Sequence, residues 1–498
     1  MSPNPFLGVI LHAIGGLASA SFYVPYRKVK HWAWETYWLT GGVFSWIIAP
    51  WVLALLIVGP GVVSIITHQP AKVLMWTFLF GAMWGAGGLT FGLTMRYLGI
   101  ALGMAIALGY CAAFGTLMPP IFSGKIVGVI HTNSGQVVLL GVLVCLIGIG
   151  ISGLAGRSKE REMPEEQKKA AIKEFNFTKG LLVATFSGIM SAGMSYGFAA
   201  GQPICDKACA LLHSRNPNLE LFQNLPMLIV VLAGGFTTNF IWCMLLSVKN
   251  GTWRDHFTSR CVVDAKGERI TCPSDEFARQ DEMVGLDAID NPSEAVAVGI
   301  AEKTGVAKEV GIPRLSNYVF SAIAGVTWYF QFFFYSMGTT KMGKYGFSSW
   351  TLHMSSIIIF STLWGIALSE WKGASKRTHR LVAVGLAVLI GSTAVVGFGN
   401  FLGITPKLTI VASKHSVEWR RMESSIIAFK WEYRNKYQVE VANIDNQPEA
   451  LKTYNVEKAP TFIFSNKRGK EESRHVGVYS EGEILAQFDR LAKQPDEK

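Results

Sequence analysis

The sequence predicts an all-α polytopic membrane protein with ten transmembrane helices, followed by a small soluble α/β domain. Half of the 498 residues are hydrophobic and 16% are charged, and the mean hydropathy is +0.29, a balance unlike that of soluble globular proteins. Apolar stretches of about 20 residues recur, which is the length that a helix needs to cross the hydrocarbon core. After Pro406 the chain becomes charged and alternates polar with apolar residues, as soluble domains do.

The ten predicted spans are these apolar stretches. They cover residues 6–26, 37–58, 73–94, 97–118, 137–155, 180–200, 224–248, 318–338, 347–369 and 380–402. Their sequences contain no Asp or Glu. Glu35 and Glu370 fall at span ends, where we expect water and headgroups to reach them.

Basic residues in the connectors between spans predict how the chain is threaded. Connectors one, three, five and nine hold fifteen Lys and Arg residues, and the alternate short connectors hold six. The positive-inside rule therefore places the odd connectors in the cytoplasm and both termini outside. We read the net charge of +11 as this topological signal, and we expect no nucleic-acid partner.

The long connector 249–317 carries a feature that points the other way. Its stretch CVVDAKGERITC predicts a hairpin with Cys261 and Cys272 at opposing ends, a pair that suits an extracytoplasmic disulfide. Two reduced thiols, or half of a metal site, are the alternatives. Cys205 and Cys209, four residues apart, form a second candidate pair. The charge bias takes precedence, so we expect this connector to be cytoplasmic.

An internal repeat divides the membrane part into two halves. A constant offset of 244 residues matches Trp84 with Trp328, Phe91 with Tyr335, Gly99 with Gly343, Gly141 with Gly385 and Gly153 with Gly397. Since five is an odd number of spans, the second copy inserts upside down, as in carriers that work by alternating access. Chance coincidence of glycines, which also favour helix packing, is the alternative. The predicted units are residues 1–158, a basic cytoplasmic linker 159–179, residues 180–403 with the inserted loop 249–317, and residues 404–498.

Two histidines lie well inside predicted spans. His12 in the first span and His353 in the ninth are each about 9 Å from the start of the span, and these spans run in the same direction. An ionisable residue inside a membrane indicates a functional site, and histidine titrates near neutral pH. We predict that His12 and His353 carry protons. The alternative is a neutral imidazole that is hydrogen-bonded to a neighbouring helix and only maintains packing.

Aromatic and amide side chains accompany the histidines. Aromatic faces stack on the C–H surfaces of sugars, and amide and phenol groups bind hydroxyls in a largely apolar pocket. Gln331 is the most informative of them, because an amide facing lipid would lack hydrogen-bond partners. The candidate substrate-binding residues are Tyr23, Trp84, Trp328, Tyr329, Gln331, Tyr335 and Trp350.

Four stretches together resemble one transporter family. They are HAIGGLASASFYVPYRKVKHWAWETYW, FGAMWGAGGLTFGLTMRYLG, TWYFQFFFYSMG and SSWTLHMSSIIIF, and they are similar to the L-rhamnose–proton symporter family of the drug/metabolite transporter superfamily. The resemblance covers roughly residues 6–250 and 315–402. It implies an inner-membrane carrier of ten helices in inverted repeats, which imports a deoxy-sugar such as L-rhamnose together with protons. The connector 249–317 is longer than the family pattern, and a soluble domain follows the tenth span.

The soluble domain resembles the thioredoxin fold. Its pattern predicts the order strand, helix, strand, short helix, strand, strand and helix, with Pro460 at the position of the cis-proline turn of that fold. The usual Cys-x-x-Cys is replaced by KHSVEW, and no cysteine follows Cys272. Thiol–disulfide exchange needs a thiolate, so we expect a module that binds an extracytoplasmic ligand or only adds stability.

The sequence as a whole predicts a secondary carrier that imports a neutral deoxy-sugar with protons. The alternatives are a carrier of another small metabolite with this architecture, and a membrane-anchored binding or sensing protein. We recognise no metal, nucleotide or phosphate motif. We therefore expect no cofactor, no metal and no enzymatic activity; the expected partners are a sugar, protons and the lipid bilayer.

Overall fold

The computed structural model describes residues 3–98, 100–162, 176–263, 308–445, 450–467 and 469–493. Within these ranges a helical bundle that ends at Leu402 precedes a four-stranded α/β unit. Nine helical segments of the described chain are long and apolar enough to cross a membrane. The protein is therefore a multi-pass membrane protein, as its composition predicts.

Among the residues that the structure describes, the first half of the bundle contains nine α-helices. They are α1 (Pro5–Ser21), α2 (Tyr23–Tyr26), α3 (Trp34–Gly42), α4 (Ala49–Ile57), α5 (Gly61–Thr67), α6 (Ala71–Leu98), α7 (Ile100–Phe122), α8 (Ile126–Ile130) and α9 (Asn133–Glu162). A π-helical turn, Val43–Ile48, joins α3 to α4 within the second span. The helix α9 continues beyond the predicted end of its span and into the linker, which otherwise lies largely outside the described residues.

The described part of the second half contains seven α-helices. They are α10 (Phe177–Ser191), α11 (Gly193–Ala200), α12 (Gln202–Arg215), α13 (Leu225–Asn250), α14 (Arg314–Lys341), α15 (Ser349–Ala367) and α16 (Lys376–Leu402). Short 3-10 turns, Pro217–Phe222, Thr252–His256 and Gly343–Ser348, lie between them. The helix α14 occupies the predicted eighth span but is not among the nine apolar segments, because serine, threonine, asparagine and glutamine interrupt its aromatic run.

Helix packing follows the same scheme in both halves. The first span, α1, packs on α14 and α15, and the sixth span, α10, packs on α6 and α7. The fifth and tenth spans, α9 and α16, pack directly on each other. Each half therefore places its first helix against the third and fourth spans of the other half.

Glycines on α9 and α16 allow these two helices to approach closely. A Cβ added at Gly141 would lie 2.9 Å from the backbone nitrogen of Val396, and one added at Gly385 would lie 2.9 Å from Ser152 Oγ. Gly385 follows Gly141 by 244 residues, and Val396 follows Ser152 by the same number. The offset found in the sequence therefore relates both members of two interhelical contacts, which chance coincidence of glycines does not explain.

The inserted connector begins and ends in a paired stem. Strand β1 (Arg260–Val263) pairs with β2 (Lys308–Gly311) in antiparallel register, with Cys261 opposite Val310. The predicted Cys261–Cys272 pair lies outside the described residues, because Cys272 does. Cys205 and Cys209 are both free thiols on α12, so the second candidate pair is not formed.

The C-terminal unit is a four-stranded sheet with helices on both faces. Its elements are β3 (Lys407–Ala412), α17 (Val417–Glu432), β4 (Gln438–Asn443), α18 (Ala450–Thr453), β5 (Thr461–Ser465), β6 (Glu471–Val476) and α19 (Glu481–Lys493). The strand order is β4-β3-β5-β6, with β3 parallel to β4 and the other pairs antiparallel. The Ala459–Pro460 peptide bond is cis. The buried faces of Ile410, Phe429 and Phe464 belong to one core between the sheet and the helices α17 and α19.

This unit contacts the connector that precedes α9. Arg434 Nε donates to the carbonyl of His131 at 2.8 Å, and the backbone N–H of Asn133 donates to Asn435 Oδ1 at 2.9 Å. The rings of His131 and Trp431 lie 5.1 Å apart. Burial alone would raise the pKa of Glu440, but Lys407 and Lys125 hold that pKa below its usual range. Lys125 belongs to the connector, so charge also joins the two parts.

Candidate functional site

The helix α1 carries His12 into the centre of the bundle. Glycines replace larger side chains on the face that meets α14 and α15, and a Cβ at Gly15 would lie 2.8 Å from the carbonyl oxygen of Gln331. Gly338 of α14 leaves space for the imidazole, because a Cβ there would lie 2.8 Å from the His12 ring. The His12 side chain is 0% exposed. Close helix approach thus excludes lipid from this ring.

His353 of α15 lies in the same interior, with Tyr335 of α14 between the two imidazoles. The ring centroids of His12 and Tyr335 are 5.3 Å apart, and those of Tyr335 and His353 are 5.1 Å apart. His353 is also 0% exposed. The two imidazoles are close enough that positive charges on both would repel each other.

Both histidines are buried without hydrogen bonds from the described residues. Neither Nδ1 nor Nε2 of His12 or His353 has a partner there, and the same holds for Gln331 Nε2. Buried polar atoms in native proteins are nearly always hydrogen-bonded, so a cluster of exceptions needs a functional explanation. The structure therefore does not favour the alternative of a histidine that bonds a neighbouring helix.

Trp350 forms one side of this cluster. Its ring meets Tyr335 edge to face at 5.7 Å and lies 6.1 Å from His353. Its indole nitrogen donates to the carbonyl of Cys111 at 3.0 Å, and the absence of a side chain at Gly115 leaves space for the ring. With its nitrogen engaged, Trp350 can offer a ligand only its apolar face.

Phe332 lies between Trp84 and the central cluster. Phe332 is not among the site residues predicted from the sequence. Trp84 and Phe332 meet edge to face at 5.2 Å, and Phe332 lies 6.4 Å from His353. Phe198 also packs on Tyr335 at 4.9 Å. Phe332 precedes Tyr335 by three residues and so shares its helix face, a spacing that was visible in the sequence.

Tyr23 and Trp328 lie apart from the histidines. Both rings contact Phe22, at 3.9 and 4.0 Å respectively, in an aromatic group that also includes Trp38, 5.8 Å from Trp328. Trp328 precedes Tyr335 by two helical turns, which is about 10 Å along α14. The predicted substrate-binding set is thus divided between a central cluster and a second group near the end of α1.

Tyr329 faces neither group. It lies about 120° round α14 from Tyr335 at the helical repeat, and its ring neighbours are Phe330 and Phe333. It is fully buried. Position on the helix therefore separates Tyr329 from the other candidates, although its residue type is the same as that of Tyr335.

One expectation about acidic residues is wrong. Glu35 was expected to meet water and headgroups, but it is 4% exposed and accepts hydrogen bonds from Thr252 Oγ1 at 2.6 Å and Asn250 Nδ2 at 3.1 Å. The reason is tertiary: the turn after α13 folds over the start of α3. Glu370 remains partly accessible and lies 3.5 Å from Arg27.

The profile of the L-rhamnose-proton symport protein (RhaT) family matches residues 1–261 and 297–401. The "L-rhamnose-proton symporter" of Klebsiella pneumoniae subsp. pneumoniae is 37% identical over 396 residues, which are 79% of this chain and 97% of that protein. The protein of the same name from Salmonella gallinarum is 36% identical over 400 residues, which are 80% of this chain and 99% of its own.

These matches agree with the motifs quoted above and cover nearly all of each relative. They leave the segment 262–296 and the C-terminal unit unmatched by the family profile. Both departures from the family pattern noted in the sequence therefore lie outside the common part. The chain belongs to the L-rhamnose-proton symport protein family, which is a family of transporters.

Proposed function

We propose that the protein imports L-rhamnose or a similar deoxy-sugar by proton symport across the inner (plasma) membrane. The observation that carries the proposal is the buried cluster of His12, Tyr335 and His353, whose imidazole nitrogens have no partner among the described residues. The names of the relatives support the substrate and the coupling ion. A different small metabolite is the nearest alternative.

The histidines carry the coupled proton in this proposal. They are central, mutually close and shielded from lipid. An imidazole therefore takes up a proton where an opening admits water, and gives it up when closure buries the ring and disfavours the charged form. Repulsion between two imidazolium rings limits the load to one proton. The sugar enters beside them, against the face of Trp350 and within reach of Gln331 and Tyr335.

The aromatic group at the end of α1 forms the next part of the sugar pathway. Trp84 links the central cluster to Trp46 at 6.0 Å, and Trp46 lies 6.1 Å from Trp38, which contacts Trp328. Aromatic faces bind sugar C–H surfaces without demanding one orientation, which suits a pathway. Tyr23 belongs to this group, and Tyr329 is left outside it.

We also propose that α14 is a tenth crossing. Near its start, Asn317 exchanges hydrogen bonds with the backbone of Lys30 at 3.0 and 2.8 Å, and at its end the carbonyl of Lys341 accepts from the backbone N–H of Asn4 at 2.9 Å. Asn4 and Lys30 flank α1, so α14 covers the same thickness in the opposite direction. Ten crossings in two inverted repeats, residues 1–158 and 180–403, follow from this threading.

In this proposal the C-terminal unit lies on the extracytoplasmic side of the membrane. With ten crossings the C-terminus lies on the same side as connector four, which agrees with the contacts of Arg434 and Asn435 at that connector. The basic odd connectors place that side opposite the cytoplasm. Its strand order and flanking helices support a thioredoxin-like module, which without cysteines serves in binding or stability.

The proposal is tested by uptake of labelled L-rhamnose with simultaneous recording of external pH. We expect uptake to be accompanied by external alkalinisation. A membrane potential of about 100 mV supplies roughly 2.3 kcal/mol per proton, enough for an accumulation of about fiftyfold. His12→Gln and His353→Gln should lower accumulation to about equality while exchange of sugar continues. Accumulation at the wild-type level in both variants would refute the role of the histidines.

A further inference from the structure

Two buried carboxylates join connectors one and seven at the end of the bundle opposite the C-terminal unit. Glu35 on α3 accepts from Thr252 and Asn250, which follow α13 and end it respectively. In return, Asp255 Oδ2 accepts from the backbone N–H of Ala33 at 2.9 Å and from Thr36 Oγ1 at 3.3 Å. We call these six residues the Glu35 latch.

The latch is reciprocal, because each connector supplies one carboxylate and the donors for the other. Glu35 and Asp255 are 4% and 0% exposed, and Thr252 is 1% exposed. Both carboxylates lie at the first turn of α3, where the positive end of the helix dipole stabilises negative charge. The contacts therefore hold the start of the second span against the end of the seventh.

The latch lies over the interior of the bundle. Cys243 of α13 is two helical turns inside Asn250, is 0% exposed and lies close enough to Glu35 for an electrostatic interaction. The indole of Trp38, one turn after the latch on α3, donates to Asn239 Oδ1 at 3.1 Å. An opening that separates α3 from α13 to reach Trp38 would therefore also break the latch.

A carboxylate suits a contact that has to open. Hydrogen bonds to a charged acceptor are stronger than neutral ones, but burying the charge removes its hydration. On opening, water restores that hydration and offsets the hydrogen bonds that are lost. A buried carboxylate therefore keeps the closed and open states close in free energy, whereas an apolar contact would favour closure.

We propose that Glu35 is a positioning residue of the transport cycle. Its contacts with Thr252 and Asn250 keep this end of the pathway closed until the end opens to release the sugar. This inference rests on the proposed function, because the opening is a step of sugar transport only if the protein is a sugar carrier. Neither the family match nor the relatives' names assign a role to Glu35. The closure itself is measurable without transport.

The test compares the rate at which N-ethylmaleimide labels two native cysteines in the full chain, with each site quantified by peptide mass spectrometry. Cys243 lies behind the latch. Cys145, on α9, is also 0% exposed and contacts Ser355 Oγ at 3.0 Å, so it reports general loosening. Thr252→Val removes the hydroxyl donor to Glu35, and we expect labelling of Cys243 to rise roughly tenfold with Cys145 unchanged.

Thr40→Val is the matched control. Thr40 is buried on the same helix, but its hydroxyl bonds only the carbonyl of Thr36 within α3, so both cysteines should label as in the wild type. Equal rates in Thr252→Val and the wild type, or parallel acceleration of both cysteines, would overturn the latch. If the labelling result holds but L-rhamnose is not transported, the proposed function fails while the latch stands.

Discussion

Single residues decide whether the central cluster can form. The sequence identifies His12 and His353 as ionisable residues in apolar spans, and it identifies Tyr335 and Trp350 as aromatic neighbours. It does not indicate that Tyr335 lies between the two imidazoles, because that depends on how α1 and α15 pack against α14. It also does not indicate the need for Gly338, whose lack of a side chain admits the His12 ring.

Gly338→Ala should disturb the cluster directly. The new Cβ would lie 2.8 Å from the His12 ring, so the imidazole must move, at a cost of roughly 1–3 kcal/mol for an overpacked site. We expect the initial rate of L-rhamnose uptake to fall roughly tenfold with little change in the amount of folded protein. Gly391→Ala, where a Cβ would meet nothing within 4 Å, is the control. Normal uptake in Gly338→Ala would mean that the His12 position is unimportant.

At the scale of helices, length and hydropathy predict most of the bundle. The ten predicted spans each coincide with a helical segment of the described chain, within a few residues at the ends. The length and hydropathy criteria do not select α14 as a membrane span. Its polar and aromatic residues face other helices, so they need not be compatible with lipid. The π-helical turn at Val43–Ile48 was not predicted, because no sequence pattern distinguishes it from a continuous helix.

The contact between α9 and α16 gives a prediction at this scale. Gly141→Val adds a side chain whose Cβ would lie 2.9 Å from the backbone of Val396, and backbone cannot move aside as a side chain can. We expect a loss of about 1–3 kcal/mol in stability, measured as a lower thermal midpoint of the purified protein. Gly150→Val makes the same change on the same helix where a Cβ would meet nothing within 4 Å. Equal midpoints would contradict close packing at Gly141.

For the whole molecule, the question is what the C-terminal unit contributes. The order of its strands and helices was predicted from alternation and turn residues, and each element is present in the structure. Its contacts with His131 and Asn133 could not be predicted, because they join residues about 300 positions apart. The unit has its own core, and it contacts the bundle at the connector that holds His131 and Asn133.

Deletion of residues 405–498 should therefore leave transport in place. We expect the shortened chain to take up labelled L-rhamnose at a rate comparable to that of the full chain, since His12, Tyr335 and His353 contact none of the described residues of the removed part. The amount of protein in the membrane, measured on the same samples, is the control. Loss of uptake from a chain that still inserts normally would favour the alternative in which the helices mainly support a binding or sensing module.

The sequence by itself determined the membrane class, the family and the approximate positions of the ten apolar segments, because these depend on composition, on local hydropathy and on motifs within single segments. Only the tertiary structure decided which candidates meet. Packing of α1, α14 and α15 brings His12, Tyr335 and His353 together, places Tyr329 on another face and buries Glu35 beneath a turn more than 200 residues away. Such contacts depend on the mutual orientation of helices, which no local pattern records.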